Sequence, residues 1–254
     1  MAGAAVITPA LVLGSLRYGE TSRIVRLATR DLGVQSAIAK GALRPKSRFG
    51  ASLQLLSEGH AHLIPARASD LHTLAAFDLT ALHSGLARDL DRFAAASVLA
   101  ELAARFVPPT PNPGVFDELL EAIVVLELAP PEAVMVVGLR AIWRLMTELG
   151  LGPSIDRCAR DQAALPEGEV AFSVRDGGFL CQRCATGGAT SRLAGADREA
   201  LAALIEPGRE LPLLSEKAAA AHRRLLFRWI REHLADTPMP ALEFWLEGVR
   251  SPSA

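Results

Sequence analysis

The stretch RYGETSRIVRLATRDLGVQSAIAKGALRPKSRFG, from Arg17 to Gly50, carries eight Lys or Arg residues against two carboxylates, Glu20 and Asp31. Its apolar residues come in short alternating runs cut by turn formers, which is strand spacing rather than helical spacing. The pattern extends outward from Val6 to Asp78. It predicts strands over Ala10–Leu16, Ser22–Thr29, Val34–Lys40, Ser52–Leu56 and His60–Pro65, with turns at Tyr18-Gly19-Glu20, Arg30-Asp31-Leu32-Gly33 and Glu58-Gly59. Five short strands so close together favour a small closed barrel, because closure removes the edges that a short open sheet leaves unpaired. An OB-fold fits best, and a fold of the α+β class follows once the rest of the chain is read.

On the second strand Arg23 shares a face with Val25, Leu27 and Thr29, while Arg26 lies on the other face with Ser22, Ile24 and Ala28. An Arg near a strand end can lay its stem on apolar neighbours and send its head out of the barrel mouth. The loop GALRPKSRFG then carries Arg44, Lys46 and Arg48 on a backbone that Gly41, Pro45 and Gly50 keep out of strand and helix. Read as an extended loop, it lets three evenly spaced cations follow successive phosphates without a base-sequence requirement. Arg17 and Lys40 complete the candidate polyanion contacts. A solvated charged face is the competing reading. Phe49 and Tyr18 read as packing residues, with base stacking as the alternative.

The whole chain of 254 residues has a net charge of -1, yet residues 1–80 hold nine Lys/Arg and five Asp/Glu, leaving 18 and 23 for the remainder. A basic module of residues 1–80 is therefore expected ahead of an acidic one, residues 81–254. After Asp78 the period becomes helical. Helices are predicted over Ser84–Val107, from the Asn112-Pro113 cap to about Leu128, from Pro131 through Trp143 to Gly150, over Ala196–Glu206, and over Glu216–Ala235 behind Ser215, ending before Pro238 and Pro240. Their Leu, Met and Trp residues read as core. His222 and His233 read as solvent or cap residues rather than catalytic ones. No signal peptide or membrane span is expected, and three cysteines without export signals suggest the cytoplasm.

Within residues 151–190, Cys158 is followed by the pair Cys181 and Cys184. A C-x-x-C turn flanked by strands at Val170–Val174 and Gly178–Cys181 is the ingredient of a zinc ribbon. The position that would complete a second pair is Asp161. One structural zinc ion held by Cys158, Asp161, Cys181 and Cys184 is one reading; a ribbon kept by hydrophobic packing without metal is the other. A deaminase-type catalytic zinc is excluded, because Arg160 stands where the proton-shuttling Glu would be. The cysteine pair also lacks the helix start of a redox dithiol, and no phosphate-binding loop or catalytic triad pattern is present. The chain reads as a non-enzyme.

Taken in order, Tyr18-Gly19-Glu20, Ala39-Lys40-Gly41, Lys46-Ser47-Arg48, Leu53-Gln54, the cysteine insert and the closing LLFRWIREHL from Leu225 to Leu234 resemble the bacterial RecO family. The resemblance covers nearly the whole chain. It implies an N-terminal OB-fold, a helical C-terminal domain and a zinc-ribbon-like insert. It also implies a recombination mediator that binds single- and double-stranded DNA, anneals complementary strands and helps load recombinase onto DNA coated by single-strand binding protein. The implied partners are RecR and the acidic C-terminal tail of the coating protein, with RecF left open. Arg140, Trp143 and Arg144 are the candidates for docking that tail, as cations beside an apolar surface. An adaptor whose acidic helical part binds repair partners, with the barrel as scaffold, is the alternative. Asp161 departs from the family's paired cysteines.

Overall fold

A computed structural model describes residues 5–186, 191–234 and 238–247. The chain divides into two compact units, residues 1–128 and 129–254.

The first unit begins with β1 (Val6–Tyr18), β2 (Ser22–Thr29) and β3 (Gly33–Ala39), followed by β4 (Glu58–Ile64) and β5 (Leu71–Ala81). They close into a barrel in the order β1-β2-β3-β5-β4, with β4 pairing back onto β1 and β3 running parallel to β5. This is the OB-type barrel expected, closed so that no strand edge is left bare. Alternation along each strand sends Ala10, Val12, Val25, Leu27, Ala37, Ala61 and Leu63 inward to one core. Leu11, Leu13 and Ala28 on the outer face are buried as well, where helix α1 (Leu90–Phe106) packs on β1 and β2.

Two strand expectations need correction. Ser52–Leu56 is no strand: Ser52 donates from both its N–H and its hydroxyl to the Phe49 carbonyl, and Leu56 takes a positive φ of 61°. Its buried residues Leu53 and Leu56 are three apart, at turn rather than strand spacing, while Leu55 is exposed. The fifth strand lies instead at Leu71–Ala81. Its pairing with β4 slips between His62 and Leu63, so the inward residues Leu74 and Phe77 sit an odd number of positions apart. A bulge of this kind erases the period-two signal.

Helix α1 follows a 3-10 turn, Ser84–Arg88, and is capped by Asp89, whose side chain accepts from the Arg92 N–H. Its buried face is mostly alanine, with Val98, Leu99 and Leu102; Leu90, expected as core, is exposed, as is Phe93. Helix α2 (Pro113–Leu128) starts at Asn112 as expected, with Asn112 Oδ1 accepting from the Val115 N–H at 3.2 Å. At the end of α2, His83 lies between Glu127 (2.7 Å) and Glu58 (3.2 Å). Burial pushes the Glu127 carboxyl up, but hydrogen bonds from His83 and the Gly85 N–H bring it below its ordinary range.

The second unit holds α3 (Val134–Glu148), a small sheet of β6 (Val170–Ser173), β7 (Gly178–Leu180) and β8 (Ser191–Leu193), then α4 (Gly195–Ile205) and α5 (Glu216–His233). Ser215 caps α5 by accepting from the Ala218 N–H. The expected end of α5 at Ala235 lies outside the described residues. Pro238 and Pro240 do not close the fold: Pro240 opens a further helix, α6 (Pro240–Glu247), in the first-turn position that suits its missing N–H. The sheet joins the helices through aromatic rings. Phe172 packs on Phe179 at 5.2 Å and on Trp229 at 5.8 Å, and Trp229 packs on Trp143 at 5.7 Å. His233 stacks on Trp229 and meets the Val174 carbonyl at 2.9 Å. His222 is buried rather than solvated, at 3% exposure.

Candidate functional site

Arg17, Arg23 and Lys40 lie at one end of the barrel. Register puts Arg17 of β1 directly opposite Arg23 of β2, and Arg23 opposite Ala39, one residue before Lys40. Two guanidinium side chains opposite each other repel, which makes this end of the sheet costly unless an anion screens it. Arg23 offsets part of that by donating to Ser15 Oγ at 2.9 Å. The segment from Lys40 to Ser57 then returns over the same end, because the Leu43 N–H donates to the Thr21 carbonyl in the β1–β2 turn at 2.8 Å.

That segment is a chain of tight turns, not the extended loop expected. Arg44 bonds back to Gly41, Ser47 to Arg44, Gly50 to Ser47 and Ser52 to Phe49. Gly41 and Gly50 take positive φ of 73° and 48° within it. Phe49, Leu53 and Leu56 are buried and stop the barrel mouth, Phe49 and Leu53 as part of the barrel core. Arg44, Lys46 and Arg48 stay exposed, as do Arg17 and Lys40. Arg48 also lies 5.1 Å from the Phe49 ring centroid, so Phe49 packs inward and carries a cation on its outer side. A cleft of ≈ 190 Å³ opens between Arg23 and the loop residues Ala42, Gly50, Leu53 and Gln54.

Arg26 has a different occupation. It donates to Ser36 Oγ at 2.9 Å and to the Ala104 carbonyl of α1 at 3.3 Å, and burial pushes its pKa below the ordinary guanidinium value. It ties barrel to helix. Arg30, part of the same basic stretch, is bound in a two-pronged pair to Asp117 at 2.8 and 2.9 Å.

In the second unit, Cys158, Asp161, Cys181 and Cys184 converge, with one ligand atom from each lying within 4.8 Å of all the others. Asp161 Oδ2 is 3.2 Å from Cys184 Sγ and 3.6 Å from Cys181 Sγ. Ligand spacings near 3.5 Å suit one tetrahedral ion with bonds of about 2.0 to 2.3 Å. The donor set fits a metal. Asp161 is also held by the Arg183 guanidinium at 2.7 Å and the Ala163 N–H at 3.1 Å. Those donors, Arg183 first, hold its carboxyl far below the usual range, while the nearby carboxylate and burial push the Cys184 thiol up to about 12.

Comparison with known proteins gives the family. Residues 1–83 match the family described as Recombination protein O N terminal, and residues 87–243 match Recombination protein O C terminal. The chain belongs to the RecO family. A protein of Anaeromyxobacter dehalogenans named DNA repair protein RecO is 35% identical over 230 residues, which cover 88% of this chain and 89% of the relative. Another of that name, from Bacillus cereus, is 34% identical over 175 residues, 68% of each chain. RecO membership gives the chain a role in DNA repair and recombination, and the barrel, the helical region and the ribbon-like insert follow the RecO plan. No helix among the described residues is long and apolar enough to cross a membrane.

The remaining candidates lie on α3. Trp143 is fully buried, with its ring against Trp229, so its indole presents no face to a docking segment. Arg140 and Arg144 are half-buried on the same helix, and Arg140 donates to the Ala203 carbonyl at 3.1 Å. The sequence reading left out two features that shape these sites: the Arg17 and Arg23 juxtaposition, which needs the strand register, and Arg183 as the partner of Asp161. Arg183 is within the C-x-x-C pair, so its proximity to the ligands was legible, although its partner was not.

Proposed function

We propose that this chain is a DNA-binding recombination mediator without enzymatic chemistry, and that the barrel end carrying Arg17, Lys40, Arg44, Lys46 and Arg48 is its contact for single- and double-stranded DNA. The observation that carries the reading is the concentration of exposed cations at one end of the barrel, two Arg side chains facing each other across the strands beside a loop of three more. Backbone phosphates relieve that repulsion and leave the bases free. Annealing needs this combination, since two anionic strands must be brought together while their pairing edges stay open. Arg23 contributes at the barrel mouth, and Arg26 serves the joint between barrel and α1.

In this reading residues 1–80 form the nucleic-acid-binding domain and the remainder recruits proteins: RecR, the C-terminal tail of the single-strand binding protein through Arg140 and Arg144, and RecF as a further partner. Recombinase loading follows from holding DNA and the coating protein at once. Cys158, Asp161, Cys181 and Cys184 hold one zinc ion, which supplies a structural cross-link between the two ends of the insert. The protein works in the cytoplasm, at the nucleoid. The deciding experiment is annealing of complementary oligonucleotides by a variant with Arg44, Lys46 and Arg48 changed to Glu. Loss of annealing with the fold intact supports the reading. Annealing at the wild-type rate removes the loop from it, and absence of any DNA affinity at low salt favours the adaptor.

A further inference from the structure

Helix α5 carries five Lys or Arg residues and two carboxylates in a unit whose other residues hold ten Lys or Arg against fourteen Asp or Glu. At about 100° per residue, Lys217, Arg224, Arg228 and Arg231 fall within about 40° of one line along the helix. Lys217, Arg224 and Arg228 are exposed, while Arg231 is half-buried with Glu243 Oε1 at 3.9 Å. The opposite face, Leu225, Leu226, Trp229 and Ile230, is buried. The stripe spans about 21 Å at 1.5 Å per residue, a row of cations suited to an extended polyanion.

A second observation sits beside the stripe. Arg228, Arg192 and Ser191 line a cavity of ≈ 160 Å³ together with His222. His222 is 3% exposed, and neither ring nitrogen has a hydrogen-bond partner among the described residues. Asp197 Oδ1 lies 3.9 Å from Nε2, too far for a hydrogen bond, and Arg192 reaches Glu169 at 3.4 Å on its outer side. Burial lowers the histidine's pKa, so the ring is neutral and offers one N–H donor. Leaving such a buried group without a partner is unfavourable. The cavity is too small for a drug-sized ligand, for which about 300 Å³ is the lower bound, but roomy for a single oxyanion.

We infer that the exposed face of α5, with the cavity at Arg192, His222 and Arg228, is a second phosphate-backbone contact, so that each of the two units holds its own DNA strand. The inference rests on the DNA-binding reading above and supplies what annealing requires beyond one strand-holding surface. The occupant favoured is nucleic acid rather than an acidic peptide. The cations run along the helix at intervals of about 10, 6 and 4.5 Å, and the cavity at their side sets Arg192, Arg228 and the unpartnered His222 against a single carboxylate, Asp197.

The test uses the full chain and a short oligothymidylate of about eight nucleotides, titrated by calorimetry at 50 mM salt. Three proteins are compared: wild type, Lys217→Ala/Arg224→Ala/Arg228→Ala, and Arg44→Ala/Lys46→Ala/Arg48→Ala. All substituted side chains are exposed, and circular dichroism melts establish that the variants fold; a melt lowered in the α5 variant is answered by repeating with Lys217→Gln/Arg224→Gln/Arg228→Gln. Two oligonucleotides per wild-type chain, and one in each variant, with annealing reduced at least tenfold in both, is the expected result. Wild-type stoichiometry and annealing in the α5 variant, with both lost in the loop variant, overturn this inference and leave the barrel reading standing. Unchanged binding in both variants overturns both. If the α5 variant keeps its DNA stoichiometry but loses affinity for an oligoglutamate peptide, the face belongs to an acidic partner and the inference is again overturned.

Discussion

Neutralising the loop cations, Arg44→Ala/Lys46→Ala/Arg48→Ala, should change how binding depends on salt more than it changes anything about the fold. The barrel end exposes five cations, Arg17, Lys40, Arg44, Lys46 and Arg48. Each phosphate contact to a single strand contributes about -0.7 to the slope of log affinity against log salt. With Lys217, Arg224 and Arg228 of α5 changed to Ala in both proteins, so that only the barrel end is read, five contacts give about -3.5 for the wild-type loop and the two left in the variant give about -1.4. Between 50 and 200 mM salt, a fourfold rise, those slopes correspond to losses of about 100-fold for the wild-type loop and about 7-fold for the variant. Fluorescence anisotropy of a labelled oligothymidylate across that range reads both. The substituted side chains are exposed, so the melting temperature should stay within the small change expected of surface substitutions. A variant slope that stays steeper than about -3 refutes the assignment, because the phosphates would then be neutralised elsewhere. A shallow wild-type slope near -1 would refute the count of contacts itself.

Arg26→Ala should cost about 1–2 kcal/mol of stability through its lost bonds to Ser36 and the Ala104 carbonyl while leaving oligonucleotide affinity within twofold, checked by denaturant melts beside anisotropy. Glu127 has a folded-state pKa below its ordinary value of 4.5, so its contribution is present above that pH and is lost as pH falls through the lower folded value. The gap in melting temperature between wild type and Glu127→Gln should therefore narrow below about pH 4.5, and a gap that stays constant down to pH 3 would count against the network. Native mass spectrometry should find one zinc per chain, lost in Cys181→Ser and held more firmly against a chelator in Asp161→Cys, which completes a four-thiolate set. Because the rings of Phe172, Phe179 and Trp229 pack on one another, chelation should leave the tryptophan emission unchanged.

Barrel strands whose burial alternates cleanly were legible from residues alone: β2 matches its expectation to the residue, and β3 begins and ends within one position of its own. The fifth strand was not, because its bulge puts Leu74 and Phe77 on one face at an odd spacing that reads as neither strand nor helix. The opposite error at Ser52–Leu56 has a related origin. Leu53 and Leu56 look like strand residues because Ser52–Leu56 itself contains no Gly or Pro, and the positive φ falls on Leu56 instead. Among the site residues, spacing alone brought the three cysteines and Asp161 together correctly, since a ribbon turn has few ways to fold. Trp143, by contrast, was placed on a surface by its neighbours Arg140 and Arg144, and helical spacing cannot tell which face of α3 the core takes.

The stopper formed by Phe49, Leu53 and Leu56 gives the cationic loop a fixed floor. A basic loop free in solution must surrender its backbone freedom when it meets a strand, at roughly 1–2 kcal/mol for each residue ordered. Here consecutive turn bonds and three buried side chains have already taken that freedom away in folding. Docking a phosphate backbone then costs little beyond the settling of long Arg and Lys side chains. A surface so prepared can trade one stretch of strand for the next as quickly as ions exchange. That suits the annealing proposed above, in which two strands are held in passing and the duplex they become is released.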